Sequence, residues 1–415
     1  VERGRRLDLA WAEEAPLLSL QDRGWVHEAV YGSVRFRARL DYLLNLHLRK
    51  GIDSLPAPLL PVLRLAAHQI VHMGGTPAYA AVSQAVEQTR RLGYPRLSGV
   101  VNGVLRSLAR QGGDVSRFPS LAEDPVGHLT HWGSHPRWLV KRWIDAHGLE
   151  AAAALVEASN RIPITYLRPL GGSPVEAAAE LVSAGIVAEP GPPGSGTVRL
   201  EPGSSPEAAL RVVGGIIQDP AAAWVVTWCG DVEGLRVLDL CAAPGGKALA
   251  LVAAGARVTG ADLSARRLAL VAESAGRLGL SLPLVQSSAE APPFAPADLV
   301  LLDAPCSGTG TLARHPDGRW RLSEADISVL SRVQERLMDG AASVVKPGGL
   351  LVYSTCTMEP EENDAQVESF LGRHDDFMVE VGAGVPADFV RDDVLKVFPG
   401  ALGTDGSFAA RLRRR

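Results

Sequence analysis

Two cysteines, Cys306 and Cys356, stand fifty residues apart, and each follows an apolar run that reads as a strand. Cys306 lies in "DAPCSGTG" (303–310) behind "ADLVLL", and Cys356 lies in "STCT" (354–357) behind "GGLLVY". Two strand ends would thus each deliver a thiol. The thiolate is the reactive form, and a free thiol near pKa 8.5 is only a few per cent ionised at pH 7, so a reactive pair needs a cation or a helix end nearby. A lone cysteine is more often a core residue; that reading is kept for Cys229 and for the packing role of Cys241. Asp303 ends the strand before Cys306. A strand-ending Asp usually caps a helix, but Ala304 and Pro305 follow it here, which suits a cap poorly.

A second chemical signal is "VLDLCAAPGGKALAL" (237–251), a strand, a glycine turn and a helix. Gly245 and Gly246 let the backbone come close to a ligand. Asp262 ends the following strand, where a carboxylate can hold ribose hydroxyls. G-x-G-x-x-G is absent, and Pro244 removes an N–H that a pyrophosphate would use. A nucleoside ligand without phosphates fits better, and S-adenosylmethionine is such a ligand. Asp239, at the strand end, is placed for its methionine ammonium. The expected cofactor contacts are Asp239, Cys241, Ala242, Ala243, Pro244, Gly245, Gly246, Lys247, Asp262, Arg267, Ser288 and Asp303.

These residues need a scaffold. From 214 to 415 strands and helices alternate: "LRVLDL", helix 246–254, "ARVTGAD", helix 265–279, "ADLVLLD", helix 323–346 and "GGLLVYST". Alternation of this kind predicts a parallel sheet with helices on both faces, with ligands at the carboxyl ends of its strands. Residues 163–213 read as a small α/β module: "PITYLRP" as strand, "SPVEAAAELVSAG" as helix, "GTVRLEPG" as strand, with "EPGPPGSG" as an irregular loop. Residues 1–112 read as a helical bundle. Leu59, Leu63, Ala66, Ala67, Ile70 and Met73 recur at three and four residues, as do Val82, Ala85, Val86 and Thr89, and Val101, Val104, Leu105 and Leu108. A helical connector, 113–162, starts its main helix near Pro136.

At 415 residues the chain exceeds one ordinary domain. No run reaches the roughly 18 apolar residues of a membrane span, and the visible start carries no leader, so no membrane partner and a cytoplasmic location are expected; a start at Val leaves the true beginning open. The four cysteines show no metal spacing and suit a reducing compartment. A net charge of −4 hides an asymmetry: residues 1–112 hold 15 Lys/Arg against 9 Asp/Glu. A basic module on an acidic body points mildly to a polyanionic partner.

"DLCAAPGGK", "DAPCSGTG", "YSTCT" and "EEN" (361–363), with "QD" at 218–219, together resemble the RNA cytosine-C5 methyltransferase family, also called NOL1/NOP2/sun. "FP…DGSFAARL" is similar to its closing hairpin, with Ser407 where an aromatic is usual. "VYGSVR", "LRLAAHQI", "AAVSQAVE" and "VVNGVLR" resemble the NusB RNA-binding fold, and "SHPRWLVKRW" the segment that follows it in the bacterial members acting on small-subunit ribosomal RNA. The resemblance covers nearly the whole chain. It implies a multidomain protein: an all-α NusB-like bundle, a small α/β module and a Rossmann-like S-adenosylmethionine-dependent methyltransferase domain. It implies methylation of C5 of a cytidine in 16S ribosomal RNA or its precursor, position 967 in the usual bacterial scheme, by a monomer. Cys356 would attack C6, Cys306 would resolve the adduct, Asp303 would hold cytosine N3 and its amino group, and Lys247 would support the site. Ser288 departs from the acidic residue usual at the adenine, with Glu290 nearby; "LRPL" (167–170) departs from the family's strand. "ARHPDGRW" (313–320) would bring Arg314, His315, Arg319 and Trp320 to the RNA side of the site.

Two other readings compete. An RNA-binding protein with an inactive methyltransferase domain is opposed by the intact Asp303, Cys306 and Cys356. A nicotinamide oxidoreductase is opposed by the missing fingerprint.

Overall fold

The helical periodicity of the N-terminal third is realised in a computed structural model that describes residues 5–415; the first four residues of the expected bundle lie outside the described ones. The chain divides into two compact units, residues 1–161 with 312–322, and residues 162–311 with 323–415.

In the first unit the helices are α1 (Leu7–Glu14), α2 (Leu20–Arg35), α3 (Arg37–Asn45), α4 (Leu60–His72), α5 (Ala78–Arg91), α6 (Ser98–Gln111), α7 (Pro125–His131) and α8 (Arg137–Asn160). The buried stripes are those the spacing predicts: Leu63, Ala66 and Ala67 on α4, Val82 and Ala85 on α5, Val101, Val104, Leu105 and Leu108 on α6. They close on Leu40, Leu43 and Leu44 of α3. Each fully buried Leu contributes roughly 1.5–3 kcal/mol of transfer free energy. Pro136 precedes α8 as expected, but the helix bends at Gly148, whose φ is 81°.

The segment 312–322 belongs to this unit, and burial overturns the expectation that Arg319 faces RNA. Arg319 is fully buried and donates to the carbonyls of Ser134, Ser159 and Leu312 and to Asn160 Oδ1 at 2.8–3.2 Å. The Trp320 indole N–H donates to Val34 O at 2.7 Å. The Arg319 donors are thus taken up inside the helical unit, whereas Trp320 is half-buried.

The second unit opens on a four-stranded antiparallel sheet, β1 (Thr165–Pro169), β2 (Ala188–Pro190), β3 (Val198–Leu200) and β4 (Gly215–Ile217), in the order β2-β3-β1-β4. Helix α9 (Pro174–Ser183) covers it and starts in a capping box, Ser173 with Glu176. Strand β2 takes Glu189 and Pro190 from the stretch expected to be loop. Proline is tolerated there because β2 is an edge strand. β4 lies past residue 213, where the sequence had placed the module's end.

The large sheet contains β5 (Arg236–Asp239), β6 (Arg257–Asp262), β7 (Leu284–Gln286), β8 (Ala297–Asp303), β9 (Val345–Thr355), β10 (Phe377–Val379), β11 (Val390–Arg391), β12 (Val394–Val397) and β13 (Ser407–Arg414). Its order is β11-β12-β13-β9-β8-β5-β6-β7, with β10 on β13. From β9 to β7 all pairings are parallel, but β13 runs antiparallel to β9, β10 and β12. The sheet is therefore mixed, not purely parallel as alternation predicted. Only a short 3-10 turn, Ala401–Gly403, intervenes between β12 and β13, so the chain folds back as an antiparallel neighbour.

Candidate active site

Strand order reverses between β5 and β8, because β6 and β7 extend the sheet on one side of β5 and β8 and β9 on the other. A crevice at such a switch point is where open α/β sheets bind ligands. Asp239 ends β5, Asp303 ends β8 and Asp262 ends β6. Burial, and then the charge of Asp303, push the Asp239 carboxyl up to about 7. Its Oδ1 accepts the Cys241 N–H at 3.3 Å.

The cradle around Asp262 fits a nucleoside. Asp262 is buried; its Oδ1 accepts the Ser264 N–H at 2.9 Å, while Oδ2 has no hydrogen-bond partner. Arg267 Nη1 lies 3.3 Å from Oδ2 without hydrogen-bond alignment, and Arg267 Nη2 is turned to Ala243 O instead. Ser287 Oγ is a second buried atom without a partner, one residue past the end of β7. A buried acceptor and a buried hydroxyl left unmatched on neighbouring strand ends fit a bound group that hydrogen-bonds both, since orphaned polar atoms are costly. Between β5 and α10 (Gly246–Ala253) the chain turns at Gly245, φ 112°, where a Cβ would also press on Val271 at 3.1 Å. Ala242 N–H donates to Ala261 O, tying the turn to β6. Cys241 packs against the main core, and burial pushes its thiol up. Ser288 is half-buried and its hydroxyl accepts the Glu290 N–H at 3.2 Å. Glu290 is exposed and pairs with Arg336 at 3.1 Å, which turns it away from an adenine role.

Both cysteines arrive at neighbouring strand ends, as their spacing predicts. Their sulfurs lie 3.5 Å apart, and the Cys356 N–H points at Cys306 Sγ at 3.4 Å. The hydrogen bond with Cys356, then burial, then the charges of Cys356 and Glu362, hold the Cys306 thiol well above its ordinary range. Lys247 Nζ donates to Asp303 Oδ2 at 2.7 Å, and Ser354 Oγ donates to Asp303 Oδ1 at 2.8 Å. Burial pulls Lys247 down, but Asp303 and then Cys356 outweigh it, so the ammonium stays charged. The surroundings are thus asymmetric: the cation acts toward Cys356, the carboxylate of Glu362 toward Cys306. Cys229 is fully buried and its thiol is pushed up to about 12, first by burial; it is a core residue.

Glu362 has a part that the sequence did not assign. It is fully buried and accepts four hydrogen bonds, from Ser307 N–H, Ser307 Oγ, Thr357 Oγ1 and Gln334 Nε2. Ser307 follows one cysteine and Thr357 follows the other, so one carboxylate ties the two loops together. Gln334, on α11 (Glu324–Ser343), also donates to Pro305 O at 3.0 Å. A second tie is Gly310, whose N–H donates to Cys356 O and whose added Cβ would sit 2.8 Å from that oxygen. Quoted within "EEN", Glu362 carried the resemblance but no role, because its partners come from three separate segments.

The switch-point crevice, the three strand-ending carboxylates and the glycine turn define a methyltransferase fold. The crystal structure of PH0851 superposes with a TM-score of 0.76 at 22% identity, covering 95% of this chain and 91% of that one. The structure of NSun6 from Pyrococcus horikoshii with SFG gives 0.56 at 20% identity, over 67% of this chain and 98% of that one. In sequence, the family described as 16S rRNA methyltransferase RsmB/F matches residues 226–413, the NusB family matches 2–110, and the RsmF/B-like ferredoxin-like domain matches 135–205. The probable ribosomal RNA small subunit methyltransferase B of Bacillus subtilis (strain 168) is 34% identical over 414 residues, 96% of this chain and 92% of that protein. The ribosomal RNA small subunit methyltransferase B of Escherichia coli O1:K1 / APEC is 32% identical over 425 residues, 100% of this chain and 96% of its own. The chain belongs to the ribosomal RNA small subunit methyltransferase B family.

Proposed function

We propose that this protein methylates C5 of a cytidine in 16S ribosomal RNA or its precursor, in the cytoplasm, through a transient bond between Cys356 and C6 of the base. The observation that carries the reading is the pair of sulfurs 3.5 Å apart beside the Lys247–Asp303 ion pair. S-adenosylmethionine, when bound, supplies an electrophilic methyl group on a sulfonium. Asp262 and Ser287 would hold its ribose, Asp239 its ammonium, and the backbone at 242–246 would border it.

Cytosine C5 is a weak nucleophile, and covalent catalysis divides the difficulty. The Cys356 thiolate adds to C6, and the C5–C6 electron pair becomes available at C5, which takes the methyl group. Asp303, fixed by Lys247 and Ser354, accepts from the exocyclic amine, and a proton shared between Asp303 and N3 neutralises the negative charge that develops on the ring. Cys306 accepts the C5 proton directly or relays it. The C–H electron pair restores the C5–C6 double bond as the C6–S bond breaks and Cys356 leaves as thiolate. The raised Cys306 group stays a thiol at neutral pH, so it serves as a relay, giving up its own proton as it takes the one from C5. The base must leave its stack to reach such a pocket. Family membership supports position 967 as the target.

The test separates the two sulfurs. Cys356→Ala should abolish both methylation and any denaturation-resistant RNA–protein band. Cys306→Ala should accumulate that band with methylated RNA. If Cys356→Ala traps the adduct and Cys306→Ala prevents it, the roles are exchanged; if neither change affects methylation, the covalent route is wrong. Bisulfite sequencing of ribosomal RNA with and without the gene identifies the nucleotide.

A further inference from the structure

The helical unit holds a cavity of about 300 Å³ between α3, the start of α8 and the segment 312–322, lined by Arg37, Asp41, Trp138, Arg319 and Trp320 among others. That is room for one nucleoside-sized group, at the small end of ligand pockets. Trp138 and Trp320 are half-buried on its wall. The Arg37 guanidinium lies over the Trp320 ring, 5.4 Å from its centre. Asp41 is already matched by Arg64, through Nε to Oδ1 at 2.7 Å and Nη2 to Oδ2 at 2.9 Å.

Arg319 is the second observation. It is fully buried, its hydrogen-bond acceptors are all neutral, and its Nε has no partner. Two further arginines are buried close in sequence to Arg37 without a carboxylate in hydrogen-bonding contact. Arg35 donates to Ala313 O, and Arg39 donates to Trp132 O and lies over the rings of Phe36 and Trp132. Buried cations without counter-charge are expensive, and Arg319, which lines the cavity, favours an anion there. The unit as a whole carries 23 Lys/Arg against 16 Asp/Glu. Aromatic faces next to cations are how single-stranded nucleic acid is held, with bases stacked and phosphates neutralised.

We propose that this cavity binds one unpaired nucleotide of the RNA substrate, its base against Trp138 or Trp320 and its phosphate toward Arg37. The inference rests on an RNA substrate but not on the target base or on covalent chemistry, so its test uses binding. The full-length protein is titrated with a 16S ribosomal RNA fragment transcribed in vitro. Trp138→Ala should weaken binding roughly ten-fold, in line with the loss of one base–aromatic stack. Trp138→Phe, which keeps a stacking face, should retain most of the affinity and controls for folding, and Arg37→Glu should weaken binding further. At saturating RNA the methylation rate of Trp138→Ala should equal that of the parent, with only KM raised. RNA carrying 5-iodouridine should photo-cross-link to peptides containing Trp138 or Trp320. Unchanged affinity in Trp138→Ala, or cross-links confined to other peptides, overturns the proposal. So does a variant that binds naked RNA normally but fails only on assembled small-subunit particles, since the cavity would then belong to a protein partner.

Discussion

Asp239 shares one edge of the sheet with two other carboxylates, and burial and the charge of Asp303 push it up to about 7. Below that pH it is neutral; above it is an anion in a dry site. Between the ordinary carboxylate range and about 7 the folded state holds the proton more tightly than the unfolded chain, so the ligand-free fold loses stability as pH rises through that window. A cationic ligand reverses the balance, because an ammonium pairs only with the ionised form. Affinity for S-adenosylmethionine should therefore rise as pH approaches 7, by up to ten-fold per unit, and level off above it; calorimetry from pH 5.5 to 8.5 would show this, and Asp239→Asn should bind more weakly with a flat profile. Asp262→Ala should weaken binding by far more than it lowers the thermal midpoint of the ligand-free protein, because the fold loses only the Ser264 N–H bond and the Arg267 ion pair while the ligand loses its ribose acceptor. A pH-independent affinity in the parent would remove Asp239 from the ammonium. At this scale the sequence was informative where a residue's neighbours along the chain define its chemistry, as for Cys306, Cys356, Asp303 and the turn at 242–246. It was silent on Ser287 and misleading on Arg319, whose surroundings come from residues 134–160.

The two cysteine loops follow adjacent parallel strands, and parallel neighbours place their carboxyl ends side by side without further design. That alone does not set a sulfur–sulfur distance. Glu362 adds the constraint by accepting from Ser307 on one loop and Thr357 on the other. Glu362→Gln replaces one accepting oxygen by an NH2 that faces donors, and a buried group left unmatched costs about 1–3 kcal/mol. The variant should unfold at lower urea by that margin and form the covalent RNA adduct more slowly, while its affinity for S-adenosylmethionine is retained. Adduct formation at the parental rate would show that the loops hold their geometry without it. The alternation of strands and helices made β5, β6, β8 and β9 legible, because buried parallel strands read as continuous apolar runs; β7, three residues long and only partly buried, was not read from it. Strands β2, β4, β10, β11 and β12 are two to four residues long, too short to show a period, and their place depends on pairing with distant partners.

Charge is divided between the two compact units, with a net of +7 on the helical one against −11 on the other, though the whole chain carries only −4. The sign of this division was readable from the first 112 residues, but its boundary was not, since residues 312–322 fold with the helices. For the same reason deletion of residues 1–112 is a poor test of RNA binding. It would remove the Leu7 N–H bound to Asp317 and the Val34 carbonyl bound to Trp320 along with the basic surface. Charge reversal on an exposed helix face is cleaner. Arg106 and Arg110 lie four apart on α6, both exposed, on the side opposite the buried Val101, Val104, Leu105 and Leu108 stripe. If this face neutralises phosphates, Arg106→Glu with Arg110→Glu should weaken RNA binding at low salt and flatten the plot of log affinity against log salt. Each lost phosphate contact should reduce the slope by about 0.7 on a single strand, the coefficient for B-form DNA being about 0.9. Measured between 50 and 200 mM salt, the double variant should converge on the parent as salt rises, because the term it lacks is the one that screening removes. An affinity loss that is the same at every salt concentration would mean that these arginines shape the unit and do not hold phosphates.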